Sequence, residues 1–176
     1  MTTSAKAKKS APSNSANDAI KLLMSDHKDV KALFKQFDGL VEGENSGEEK
    51  QALAEQICQM LTVHATVEEE LFYPAAREVL GEDEDLVDEA DIGHASAKDL
   101  IAQIQSSSPD EDHYDAKVKV LGEYISHHVQ EEEGEMFPKV KKAGLDSATL
   151  GIDMAARKDQ LMAELRGEAS ADLTRA

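Results

Sequence analysis

The chain has 176 residues, 40% of them hydrophobic and 31% charged, enough for one domain with a buried core. Its formal charge of −17 repels phosphates, so neither nucleic acid nor an anionic membrane surface is expected as a partner. A single cysteine, Cys58, excludes an intramolecular disulfide and suits a reducing, cytoplasmic setting, and no apolar run approaches the ~18 residues of a membrane span.

Residues 1–16 are rich in Ala, Ser and Lys with no apolar run behind the lysines, which predicts a disordered basic tail and no secretory signal. From Asp18 the pattern is helical. A first helix over 18–40, capped by Asn17 or Asp18, carries Ile20, Leu23, Met24, Val30, Phe34 and Phe37 on one face. After a loop at 42–49, a second helix over 48–80 carries Leu53, Ile57, Met60, Leu61, Val67, Leu71 and Ala75. Pro74 predicts a kink within it and Gly81 its end. A third helix over 82–106 turns Leu86, Val87, Ala90, Ala97, Ile101 and Ile104 inward. The fourth, over 111–143, does the same with Val118, Leu121, Tyr124, Ile125 and Met136, and stops at Gly144. An amphipathic piece over 147–166 carries Leu150, Met154, Leu161 and Leu165. No useful β-alternation occurs. The expected fold is all-α: an antiparallel up-down four-helix bundle over 17–144, with a short additional C-terminal helix and tail in 145–176.

Each of the four stripes holds one histidine. His27 lies between Met24 and Val30, and His64 between Leu61 and Val67. His94 lies between Ala90 and Ala97, and His128 one turn past Tyr124. His113 and His127 fall off the stripes. Two of the four open a repeated device, 64-HATVEEELFYP-74 and 128-HVQEEEGEMFP-138. Each device places a glutamate, Glu68 or Glu132, four residues after its histidine and so on the same helix face. Unpaired carboxylates in a core cost several kcal/mol each. Lys98 is the one candidate counter-charge on a neighbouring inward position, so a bound cation is the economical partner. Imidazole and carboxylate without thiolate favour iron or manganese, with zinc admissible. Two glutamates on different helices, each one turn from a histidine, suit a pair of metals bridged in a bundle core.

These residues carry a resemblance to the hemerythrin family in its bacterial HHE cation-binding form. It rests on His27, the two devices at 64–74 and 128–138, and 91-DIGHASAKDL-100, in an order spanning about residues 18–143. The resemblance implies a non-haem di-iron centre with an oxo or hydroxo bridge. His27, His64, His94 and His128 would be terminal ligands, and Glu68 and Glu132 the bridges. One departure stands out. Oxygen-carrying members have two histidines one turn apart on the third helix, whereas here Ala90 and Lys98 flank His94. Of about twelve positions around two six-coordinate irons, about two then stay open. Water, Tyr124, Asp91 or Glu131 are available to fill the extra one, though each of these three side chains is more simply read as solvated or structural.

The resemblance implies reversible binding of O2, or of a related molecule such as NO, for oxygen or iron binding, storage or sensing. The more open coordination keeps a redox alternative: a di-iron enzyme acting on peroxide, catalase- or peroxidase-like, or on ferrous iron. Iron storage or donation for repair is a third reading. A binding protein is expected ahead of an enzyme, because no separate substrate pocket or acid–base pair is visible in the sequence.

Overall fold

In a computed structural model, residues 18–43, 46–81 and 85–173 are described, with side chains to residue 167. The predicted N-terminal tail lies outside them. All elements among the described residues are helical: α1 (Ala19–Glu42), α2 (Gly47–Val67), α3 (Tyr73–Leu80), α4 (Asp85–Gln105), α5 (Tyr114–Glu131), α6 (Phe137–Lys142) and α7 (Ser147–Leu173). Asp18 caps α1 by accepting from the Lys21 N–H. Ser46 and Glu49 form a reciprocal capping box at the start of α2, which therefore begins within the predicted loop. Gly81, at φ +58°, takes the left-handed turn that stops α3.

The second and fourth predicted helices are each interrupted in the same way. A π-helical turn over Glu68–Phe72 joins α2 to α3, and another over Glu132–Met136 joins α5 to α6. In each, a backbone bond reaches back five residues, from Tyr73 N to the Glu68 carbonyl and from Phe137 N to the Glu132 carbonyl. The expected break at Pro74 thus falls before the proline, and Pro138 follows its own wide turn. A proline in a regular helix clashes with the carbonyl four residues back, and widening the preceding turn relieves that conflict.

A π turn inserts one residue, so the inward face slips by one beyond it. The predicted inward residues Leu71 and Ala75 are half-buried, while Phe72, Tyr73 and Ala76 take the core positions. Two further predicted core residues are corrected: Met24 is 44% exposed and Tyr124 is 49% exposed.

The bundle closes as a ring in which α1 packs on α2 and α5, and α4 packs on α2 and α5. The C-terminal helix is 27 residues long, longer than the short piece expected, and lies against α1, α2 and the first π turn. Its Met154 is fully buried. The apolar interior is in two blocks. One gathers Phe37, Ile57, Cys58, Leu61, Ile101, Leu121 and their neighbours. The other gathers Ile20, Leu23, Phe72, Tyr73, Met136, Phe137 and Met154. The polar residues Asp26, His27, His64, Glu68, His94, His128 and Glu132 lie near the junction of the two blocks, all buried.

Candidate metal centre

The six predicted ligand residues meet in that polar layer. Glu68 and Glu132 are fully buried, and each is the first residue of its π turn. Glu68 Oε2 lies 3.2 Å from His64 Nε2 and 3.2 Å from His94 Nε2. Glu132 Oε2 lies 3.2 Å from His27 Nε2 and 3.5 Å from His128 Nε2. The rings pair as His27 with His64, centroids 5.0 Å apart, and His94 with His128, centroids 4.8 Å apart. Each carboxylate therefore touches one histidine of each pair.

The donors fit a cation. His27 Nε2, His64 Nε2, Glu68 Oε1 and Glu132 Oε2 are buried without a hydrogen-bond partner. His27 Nε2 and Glu132 Oε2 are close, yet not in hydrogen-bonding geometry. Leaving four such atoms unsatisfied is costly for a native core, and a shared positive ion removes the cost. The atoms form two groups that can each surround an ion: His27, His64, Glu68 and Glu132, and then Glu68, His94 and His128.

Electrostatics point the same way. Burial, then the neighbouring Glu132 charge, pushes the Glu68 carboxyl well above its ordinary range. Burial also acts to raise Glu132, but the surrounding histidines, His27 foremost, outweigh it and draw that carboxyl down. Without a cation one of the two holds a proton. Burial lowers His94, and pushes His128 down to about 4, so both rings are neutral near pH 7 with a lone pair to offer.

Behind the candidate ligands stands an outer ring of carboxylates. His27 Nδ1 meets Glu133 Oε1 at 2.9 Å, and His94 Nδ1 meets Glu69 Oε1 at 3.0 Å. His64 Nδ1 donates to Asp26 Oδ2 at 3.4 Å. Such contacts set a ring's orientation and tautomer. Glu69 is held in turn by Lys98, and Asp26 by Lys158 of α7. Lys98 is thus half-exposed and neutralises Glu69, not the central carboxylates.

Sequence reasoning missed Tyr73 and the outer carboxylates Asp26, Glu69 and Glu133. Tyr73 Oη donates to Glu132 Oε1 at 3.1 Å and lies 3.1 Å from His94 Nε2 and 3.5 Å from Glu68 Oε2. The aromatic nine residues after the histidine of each device was visible, but only the slip at the π turn aims it inward. Burial and the two glutamates push its phenol up, so it stays a neutral donor. Asp26 was hidden by its place beside His27, and its cation arrives from 132 residues away. The three side chains suggested for the extra coordination position are not at the centre. Tyr124 is exposed, Asp91 pairs with Arg77, and Glu131 pairs with the 73%-exposed His127. His113 is exposed at the start of α5.

A helical bundle with a buried cluster of four histidines and two glutamates that could hold a cation defines a metal-binding helical protein. A model of the hemerythrin HHE cation binding domain matches residues 18–140, and the chain belongs to that family. The crystal structure of a hemerythrin HHE cation binding domain-containing protein from Mycobacterium kansasii is similar, with a TM-score of 0.68 and 26% identity. That match covers 89% of this chain and 92% of the other. A protein of Nostoc sp. (strain PCC 7120 / SAG 25.82 / UTEX 2576) named DNA nickase is 28% identical over 153 residues. The match takes in 85% of this chain but 41% of the nickase, so the chain spans about two-fifths of that relative's length. Among the described residues no helix is long and apolar enough to cross a membrane.

Proposed function

We propose that the chain holds two iron ions and binds a small diatomic molecule, O2 or NO, beside them. His27, His64, His94 and His128 would be the terminal ligands, and Glu68 and Glu132 the bridges. The observation that carries this reading is that each glutamate touches one histidine of each pair, the arrangement a bridging carboxylate requires. Bound iron supplies the electrons and open coordination that such a ligand needs.

The chain's own residues supply the rest. A cavity of about 30 Å³ borders all four histidines and is walled by Val30, Leu61, Ala97, Ile101, Ile125 and Val129. It has room for a molecule about the size of one or two waters, and its apolar wall favours an uncharged one. The coordination left open where Ala90 and Lys98 flank His94 favours a second reading, redox turnover of peroxide. DNA handling, which the name of the Nostoc relative attaches to that protein, has the formal charge of −17 against it here.

Mixing reduced, iron-loaded protein with O2 while following the visible spectrum tests the proposal. A long-lived band that disappears when O2 is removed supports binding. Rapid irreversible oxidation, with hydrogen peroxide consumed catalytically, supports the redox reading instead.

A further inference from the structure

The outer ring is uneven around the layer. At the His27–His64 pair both rings are clamped, by Glu133 and by Asp26, and Asp26 is itself anchored by Lys158 from α7. At the other pair only His94 is clamped, by the Glu69–Lys98 couple. His128 contacts His94 and Glu132 through Nε2, and among the described residues no carboxylate accepts from its Nδ1. That edge faces Gly93 of α4, where an added Cβ would stand 3.9 Å from Nδ1. His128 is also the most exposed of the four side chains, at 11% against 2%, 8% and 5% for His27, His64 and His94. Outside it a groove of about 340 Å³ runs between α4 and α5, reaching both His94 and His128 and edged by Gly93, Tyr124, His127 and Glu131.

We infer that the two metal positions are held unequally: the metal at His94–His128 is the exchangeable one, and it passes through the α4–α5 groove over Gly93. This rests on the two-metal reading above. A ligand ring with no outer partner reorients at little cost, and losing an outer-shell contact weakens metal affinity by about 10–100-fold. A swing of His128 toward the groove opens the layer on the one side where glycine leaves space. The His27–His64 position has no such movement available, because Asp26 and Glu133 hold both rings from behind.

Protein loaded anaerobically with two equivalents of ferrous iron is challenged with a coloured ferrous chelator. One equivalent leaves at least about tenfold faster than the other. Gly93→Ala slows the fast phase, and Gly93→Leu slows it further, with the slow phase unchanged. Asp26→Ala, which unclamps His64, speeds the slow phase about tenfold or more and leaves the fast one as it was. Release of both irons in one phase overturns the inference. So does an unchanged fast phase in both Gly93 variants, or an Asp26→Ala effect confined to the fast phase. Failure to take up two equivalents sinks the two-iron reading and this inference with it, whereas one phase at full loading sinks this inference alone.

Discussion

Glu68 and Glu132 occupy equivalent places in the two devices, yet their protons are held differently. Burial and the Glu132 charge keep Glu68 protonated above its ordinary value of 4.5 in the metal-free fold. Between that value and the raised one, the folded state binds one more proton than the unfolded chain, so stability falls as pH rises. Glu68→Gln has no proton to lose. Metal-free wild type and variant are expected to melt alike at pH 4. The variant then gains toward pH 7, by up to about 1.4 kcal/mol per pH unit. His128, pushed down to about 4, acts in the opposite direction between that pH and its ordinary 6.5, but does so in both proteins. Melting curves of the chelated proteins across this range decide the point, and a gap that shrinks as pH rises contradicts it. The neighbours His127 and His128 provide the second test at this scale. His127 is 73% exposed and pairs with Glu131, so His127→Ala changes stability by about ±0.5 kcal/mol and spares iron content. His128→Ala lowers iron content, and elemental analysis of the two purified variants tells them apart.

At the scale of the element, each π turn reconciles two requirements. It begins at the glutamate that joins the polar layer and ends just ahead of a proline. Removing one residue, Gly134, restores regular helical spacing while leaving Met136, Phe137 and Val140 on the inward face, because the wide turn holds one residue too many. Pro138 then meets the carbonyl four residues back, at a cost of about 3 kcal/mol. The deletion variant is expected to keep its helical circular dichroism and lose about that much stability in urea. Pro138→Ala in the same chain restores most of it. If the proline substitution rescues nothing, the π turn is not there to accommodate the proline.

For the whole molecule, the polar layer lies where the two apolar blocks meet, and a bound cation would make that layer favourable. A ligand that binds only the folded state adds about 4 kcal/mol at a thousandfold excess over its Kd. For a chain of this size that corresponds to roughly 8–16 °C in Tm. Chelator-stripped protein is therefore expected to melt that much lower while keeping most of its helical signal, since both apolar blocks still pack. Equal Tm values for loaded and verified stripped protein contradict this. The long C-terminal helix belongs to the same economy. Arg157 binds Glu70 within the first π turn through two contacts, at 2.6 and 3.0 Å, and Lys158 reaches Asp26 behind His64. Two consecutive residues of α7 thus brace the centre from outside the four-helix ring.

The helices, their number and the four histidines with two glutamates were legible in the sequence, because apolar and ligand residues share one 3.6-residue period and local spacing sets the face. His127 was separated from His128 by the same logic, four residues before Glu132. Two kinds of fact escaped it. Register past Glu68 depends on a single extra residue in a π turn, so Leu71 and Ala75 were expected inward where Phe72, Tyr73 and Ala76 lie. Tyr73 consequently entered the centre unforeseen. The second kind is contact between residues far apart in the chain. Lys158 with Asp26 and Glu133 with His27 follow from how whole helices pack, as does the lack of a clamp on His128 among the described residues, and no local period records them. Tyr124, placed inward by spacing, is exposed on the α4–α5 side because the width of a buried stripe is set by the neighbouring helices and not by the helix that carries it.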